Sequence, residues 1–433
     1  MYELNCVAEK SLAALRDAGA DKAQCIARFT ETHEFNVDGG KFSLFRTLFD
    51  NSLSLTAIRE NKKGSVAVNR FDEETIRTAA ANCIAIADSG APDEAWDFAS
   101  GDGENRVFTE GAPEAELDLL FDRTEELMKT IAARHPKILV EQMVVTHKKH
   151  HTVYKNTLGA AYESVSGSYA VELMYSAHEG EKASSFFSSG VILDRLDRPF
   201  IELGKLEEDL TNVEKQIETK ALDGKFTGIA VLPPSSLGSF LGSILGNFAA
   251  DSTILDGTSP WKDQLGKKVA DERISISASP LDDRIVCGER FTGEGFLSEN
   301  YDIIKDGVLQ SFMLSNFVSR KTGFPRAKNS SYAIIMEGGD TPYADIIAGI
   351  ERGILVGRFS GGEPGTSGDF SGVAKNSFLI ENGKITCALS ETMINGNLGE
   401  LLKNVVAVSK ETVCDGGSVL PYAAFSGVTV SGK

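Results

Sequence analysis

Six histidines are the side chains of this 433-residue chain best suited to bind a metal or move a proton near neutral pH, and none lies from residue 225 onward. The C-terminal half therefore cannot by itself build a histidine-ligated metal site or a histidine-based triad. His147, His150 and His151 have a spacing that would suit a helix, but Val144-Val145 and Thr152-Val153-Tyr154 flank them. On a straight strand His147 and His151 share a face about 13 Å apart, so an exposed polar turn is expected rather than a metal cluster. His178-Glu179 opens like H-E-x-x-H, but the second ligand is missing and a surface turn is expected. The run Ser360–Gly372 is glycine-rich without the G-K-[ST] ending of a phosphate loop, which predicts a bent loop or a close backbone approach. Cys414 sits in the polar segment Thr412–Ser418, where no histidine of the same half can activate it.

The elements that must position these residues can be read from periodicity. Leu4, Val7, Ala8, Leu12 and Leu15 share one helical face, closed by Gly19. Alternating strands lead to Asp38-Gly39-Gly40, and Leu53–Ile58 turns back through Asn61-Lys62-Lys63-Gly64. Asp72 predicts the cap of a helix carrying Ile76, Ala79, Ala80, Cys83 and Ile84 inward, and another helix is predicted near Pro113. Residues 138–193 read as strands, with Asn156–Gly159 and Ser166-Gly167-Ser168 as turns. A helix with Leu206, Leu210, Val213, Ile217 and Ala221 inward is predicted to run to Gly224. Beyond it, Asp306-Gly307 joins Tyr301–Lys305 to Val308–Met313, and Asn382-Gly383 joins Phe378–Glu381 to Lys384–Leu389. Helices are predicted at Ser236–Phe248, Ala344–Arg352 and Leu398–Asn404. The fold class expected is α+β, with two domains, 1–224 and 225–433, each of antiparallel sheets with packed helices.

Charge narrows the partners. The net charge of −18 is concentrated in residues 1–224, with 25 Lys+Arg against 39 Asp+Glu, while residues 225–433 hold 19 against 23. Such a field repels a phosphate backbone, so no nucleic-acid partner is expected. The six cysteines are widely separated and read as reduced thiols. The N-terminal segment lacks the basic end and continuous apolar run of a signal peptide. No stretch approaches the ~18 apolar residues of a membrane span, so a cytoplasmic location without membrane contact is expected.

Several blocks from Phe291 to Ser431 together resemble the TldD/PmbA family of intracellular peptidases, known also by the older label modulator of DNA gyrase. They are Phe291-Thr292-Gly293-Glu294-Gly295, Gly368-Asp369-Phe370-Ser371-Gly372, Ile380–Ile385, Gly396–Val405 and the closing Ser426-Gly427-Val428. The resemblance implies a scaffold whose metal-bearing TldD branch carries H-E-x-x-x-H on an early C-terminal helix, with zinc completed by a late cysteine. Here the helix after Val231-Leu232-Pro233-Pro234 sets Gly242, Ser243 and Asn247 against the histidine, glutamate and histidine. Cys414 falls in the region of the late cysteine. The chain thus resembles the PmbA/TldE branch.

The role implied is a metal-free, non-catalytic subunit of a two-component metallopeptidase acting on unfolded peptides. It would pair with a zinc-bearing TldD-like chain, or with itself when alone. No cofactor is expected in this chain, and any effect on gyrase would run through proteolysis of a regulatory peptide. Asp369, Phe370, Asn376, Glu391 and Asn397, in or beside the family-like blocks, are the expected substrate or partner contacts. Two other readings remain open: a stand-alone enzyme built on Glu294, Asp369 or Glu391 around a harder metal or a general base, and a module that adds extended peptides to a sheet edge.

Overall fold

The computed structural model describes residues 3–362, 364–390 and 392–432. Two sheets organise the chain. The first comes from α1 (Leu4–Asp17), β1 (Lys22–Asp38), β2 (Lys41–Arg59), β3 (Lys62–Val68), α2 (Glu73–Ser89), β4 (Asn105–Gly111), α3 (Leu117–Arg134), β5 (Ile138–Asn156), β6 (Ala161–Glu179), β7 (Lys182–Ala183) and β8 (Phe187–Leu193). Its strands run in the order β3-β2-β1-β5-β6-β4, with β7 and β8 also on β6. After α4 (Leu206–Lys215) comes a mixed 14-stranded sheet that includes β9 (Thr219–Ala221) and β10 (Lys225–Leu232) and carries α5 (Pro234–Phe248). The architecture is α+β. No helix among the described residues is long and apolar enough to cross a membrane.

Local chemistry explains the first sheet. The long β1–β2 hairpin turns at Gly39 and Gly40, both at positive φ, and the β2–β3 hairpin at Glu60 and Asn61 (φ 51° and 60°). Gly64, expected in that second turn, lies within β3. A β-carbon on it would come 1.9 Å from the Cys83 carbonyl oxygen of α2, so its role is close approach. Asp72 caps α2 by accepting from the Thr75 amide at 2.9 Å. Ala23, Cys25, Leu53 and Leu55 pack under α1 and α2, whereas Val145, Tyr169, Val171 and Tyr175 pack under α3 and α4.

Several expectations need correction. Ser166-Gly167-Ser168 is no turn but the middle of the 19-residue β6, and Gly167 is there because the chain at Ala112 crosses it: an added β-carbon would lie 1.9 Å from the Ala112 oxygen. His147, His150 and His151 lie in β5, on a strand as their Val and Thr neighbours predict, but not at an exposed turn. His147 is buried, and its Nε2 donates to the Ala112 oxygen at 2.7 Å. His150 Nδ1 meets Thr30 Oγ1 at 3.0 Å, and His151 Nε2 meets Glu163 Oε1 at 2.7 Å.

The helix near Pro113 begins only at Leu117, and α4 ends at Lys215. Gln216 then donates to the Ser377 oxygen (3.0 Å), and Thr219–Ala221 leaves the helix to pair in parallel with Lys384–Ser390 of the second sheet. The helix predicted over Ala344–Arg352 spans Tyr343–Ala348, because Arg352–Leu355 is taken as a strand parallel to β10. The strand after Asp306-Gly307 covers only Val308–Leu309.

The two sheets meet through specific bonds. The Ile192 amide donates to the Asp415 oxygen (2.8 Å), Gln24 Nε2 to the Gly293 oxygen (3.0 Å), and Arg290 pairs with Glu110. These contacts draw the outer part of the first sheet against the loops that surround α5.

Candidate functional site

α5 has two unlike faces. Pro234 at its first turn lacks the amide that would be unsatisfied there. Leu237, Phe240, Leu241, Ile244, Leu245 and Phe248, spaced by three and four residues, are buried. On the other side Ser235, Ser239 and Gly242 are exposed, while Gly238, Ser243, Gly246 and Asn247 are half-buried. Ser239 Oγ donates to the Ser235 oxygen and Ser243 Oγ to the Ser239 oxygen, both at 3.2 Å, and Asn247 Nδ2 donates to the Ser243 oxygen at 2.9 Å. The polar side chains fold back on their own helix. A β-carbon at Gly242 or Gly246 would meet no atom within 4 Å, so none of the described residues packs on those two positions.

At the C-terminal end of α5, three of the expected contact residues converge. Asn247 Nδ2 also donates to the Pro364 oxygen (3.1 Å). Asn397 Nδ2 donates to Asp369 Oδ1 and to the Ser367 oxygen (2.9 Å each), while its Oδ1 accepts from the Gly399 and Glu400 amides and caps the helix Leu398–Lys403. Phe370 is buried edge-on to Phe240 (5.2 Å) and Phe359 (5.7 Å). The cluster is a brace: Asn397 ties Ser367 and Asp369 together while Asn247 ties Pro364 to the end of α5. Asn376 stands apart, at φ 49°, donating through Nδ2 to the Ser185 oxygen of the first half (3.1 Å). Glu391 lies outside the described residues.

At the N-terminal end, Leu420 Cδ1 comes within 3.1 Å of where a Gly238 β-carbon would stand. Leu420 belongs to the hairpin of Val405–Cys414 and Val419–Ser431, in which Cys414 pairs with Val419. Cys414 is exposed, and its thiol donates to the Arg284 oxygen at 3.3 Å. Val413, directly opposite Leu420, shares its side of the hairpin, while Cys414, one residue on, turns its thiol to Arg284. The donor set does not fit zinc: glycine, serine, an amide already spent on carbonyls, and one thiol fall short of the three or four nitrogen, sulfur or carboxylate ligands required. Among the described residues no group of three His, Cys, Asp or Glu is placed to hold a metal ion.

Beside this end of α5 lies a cleft that sequence reasoning missed. A cavity of about 200 Å³ is lined by Ser189, Lys205, Asp209, Ser235, Asp415 and Leu420, among others. Tyr175 donates to Ser189 Oγ (2.9 Å), which in turn donates to Asp209 Oδ2 (2.9 Å). Lys205 Nζ lies 3.1 Å from Glu208 Oε1, 3.8 Å from Asp209 Oδ1 and 4.7 Å above the Tyr422 ring, whose hydroxyl donates to both Glu208 oxygens. Burial pushes Asp209 up to about 6, with Lys205 and Ser189 opposing the shift. Glu207-Glu208-Asp209 reads in sequence as a solvated acidic run, yet Asp209 shares the face of Leu206 and Val213, three before and four after. That was the available signal.

Glu294 lines a different cleft, of about 510 Å³, with Asp251, Lys63, Trp96 and Arg326. Burial raises its pKa, and it accepts the Asn316 amide at 2.9 Å. Asp369 is absent from that lining and is engaged by Asn397, so these two carboxylates do not form one site.

Fold and site together define a two-sheet α+β scaffold in which one C-terminal helix turns a face of small residues outward. Residues 227–432 match the family model described as PmbA/TldA metallopeptidase C-terminal domain, so the C-terminal half carries a domain of the PmbA/TldD kind. Among named relatives, the metalloprotease PmbA of Escherichia coli O157:H7 is 24% identical over 403 residues, covering 88% of this chain and 83% of that one. The zinc metalloprotease TldD homolog of Saccharolobus solfataricus is 24% identical over 64% of this chain and 65% of its own length. In fold, TldE from Thermococcus kodakarensis superposes with a TM-score of 0.84 at 18% identity over 98% of this chain and 99% of that one. A Bacteroides thetaiotaomicron protein described as a putative modulator of DNA gyrase gives 0.85 at 23% identity over the full length of both.

Proposed function

We propose that this chain is the zinc-free, non-catalytic subunit of a two-component metallopeptidase. In this reading it pairs with a zinc-bearing TldD-like chain and helps to hold unfolded peptide. One observation carries the reading: the outer face of α5 presents Gly242, Ser243 and Asn247 where the family resemblance calls for two histidines and a glutamate, and of the positions that resemblance assigns to zinc Cys414 alone keeps a ligand side chain. No shift of register supplies a histidine, since none follows residue 178. A face of glycine and serine that is open at Gly242 and Gly246 among the described residues also suits the approach of a second polypeptide. Asp369, Phe370 and Asn397 support that surface from beneath, and Asn376 contributes at the junction of the two halves.

The test is co-expression with the metal-bearing TldD-like chain of the same cell, followed by sizing, zinc analysis and a peptidase assay. The expected result is a stoichiometric complex whose zinc and chelator-sensitive activity reside in the partner. Stoichiometric zinc in this chain alone, or chelator-sensitive peptide hydrolysis by it alone, would overturn the proposal.

A further inference from the structure

Four charged side chains meet in one cleft without pairing. Lys63 enters from the first half of the chain, and Asp251, Glu294 and Arg326 from the second, around the cavity of about 510 Å³. Among the described residues none of the four makes an ion pair, whereas on the short helix Asn316–Thr322 beside them Arg320 pairs with Asp97 and Lys321 with Asp93. Charges in this neighbourhood find partners where the geometry allows. In the cleft it does not.

Each of the four is held by a neutral partner instead. Glu294 Oε2 accepts the Asn316 amide and Asp251 Oδ1 the Ser315 amide, both at 2.9 Å, so two carboxylates stand on consecutive peptide groups. The Arg326 guanidinium lies 3.8 Å over the Phe296 ring and donates to the Ala327 oxygen. Lys63 Nζ lies 4.3 Å over Trp96, which is itself stacked on Phe317 at 3.7 Å. These contacts fix the side chains and leave their charges uncompensated. Burial raises the pKa of Glu294, with Asp251 adding to the shift, and burial lowers that of Arg326. Both groups would gain from a counter-charge at contact distance, which the chain does not supply.

The balance of charge selects the occupant. A simple cation drawn to Asp251 and Glu294 would also meet Lys63 and Arg326, and a simple anion drawn to those two would meet both carboxylates. An apolar ligand would strip water from all four. A molecule with an ammonium group and a carboxylate on one short skeleton satisfies both signs together. Met313, Leu314, Phe317 and Tyr332 line the same cavity, and Tyr332 is 64% exposed, so an apolar side chain on that skeleton has a wall to lie against. The cavity also falls within the span of small-molecule sites, roughly 300–1,000 Å³.

We propose that this cleft binds a small zwitterion, a free α-amino acid or a dipeptide, with its ammonium at Asp251 and Glu294 and its carboxylate at Arg326. No residue of α5 lines the cavity, and the site does not rest on the metal-free reading of that helix.

The test is isothermal titration calorimetry on the full chain purified alone, with L-leucine and L-leucylglycine as probes. Each probe is also titrated with its amine acetylated or its carboxylate amidated. At least one free probe should bind, and the tighter of the two tells an amino-acid site from a dipeptide site. Its blocked forms should bind about tenfold more weakly or worse, since each loses one charge-assisted contact. Glu294→Gln should abolish the preference for the free amine while keeping that for the free carboxylate, and Arg326→Gln should do the reverse. A general loss of structure would not produce that split. Should either variant fold poorly by circular dichroism, the comparison of free and blocked probes on the wild type decides alone. Failure of both free probes to bind at roughly 10 mM overturns the proposal. So do blocked forms that bind as tightly as free ones, or folded variants that lose both preferences alike.

Discussion

Alanine at Gly242 and at Gly246 should make the isolated chain more stable. Both glycines lie inside α5, where glycine is less favourable than alanine by about 0.8–1 kcal/mol. Neither has a positive φ, and a β-carbon at either would meet no atom within 4 Å, so no clash opposes the gain. Gly242 and Gly246 are neighbours one turn apart, so the double variant should gain about 1.6–2 kcal/mol plus or minus any coupling between the two new methyl groups. For a region the size of the C-terminal half, thermal unfolding should then shift upward by roughly 2–4 °C per substitution.

Gly238→Ala is the internal control, because its β-carbon would press on Leu420 Cδ1 at 3.1 Å and part of the gain would be lost. Differential scanning calorimetry of the three variants gives the series. If Gly242→Ala and Gly246→Ala each destabilise by 1 kcal/mol or more, the face is packed within the chain, and the case for a second polypeptide approaching it collapses. Under the proposed function the same variants, more stable alone, should bind the TldD-like chain more weakly.

Other expectations follow from single contacts. Asp209 has a folded pKa of about 6 against an ordinary 3.8, so the folded state holds the proton more tightly between those values, and stability falls as pH rises through that window. The cost should approach about 3 kcal/mol above pH 6, with roughly 1 kcal/mol of it developing between pH 5.5 and 8. Asp209→Asn should remove that slope in denaturant titrations at the two pH values, and an unchanged slope would count against a buried, raised carboxyl. Phe370→Ala, deleting a buried ring packed on Phe240 and Phe359, should cost about 3–5 kcal/mol in chemical unfolding. A thiol reagent should modify Cys414 first, since it alone among the six cysteines is exposed, whereas burial pushes Cys25 up to about 12 and Cys83 and Cys287 up to about 11. Its loss in Cys414→Ser should remove the fast phase.

The residues that act through their immediate neighbours were legible. Asp72 caps α2, Asn382-Gly383 closes its hairpin, and the buried stripe of α5 from Leu237 to Phe248 follows its spacing, because capping, turn geometry and amphipathic period are properties of a few consecutive residues. Ser166-Gly167-Ser168 and Gly64 were misread as turns for the complementary reason. A glycine in sequence does not say whether it bends the chain or lets another segment cross it, and here Ala112 and Cys83 do the crossing. The expected contacts Asp369, Phe370 and Asn397 do come together, but as a brace under α5, which only the pairing of Asp369–Lys375 with Thr392–Asn397 brings about. Asp209 escaped notice because its burial depends on Ser189, Lys205 and the hairpin at Leu420, all distant in sequence.

By itself, the sequence determined what chemistry the C-terminal half lacks. A chain without histidine after residue 178 cannot place one on any helix, whatever its fold. The tertiary structure is what turns the small residues of α5 outward and sets Cys414 in the hairpin that meets its N-terminal end. Each is a relation between segments far apart in the chain, fixed by which surfaces found a partner during folding and which did not.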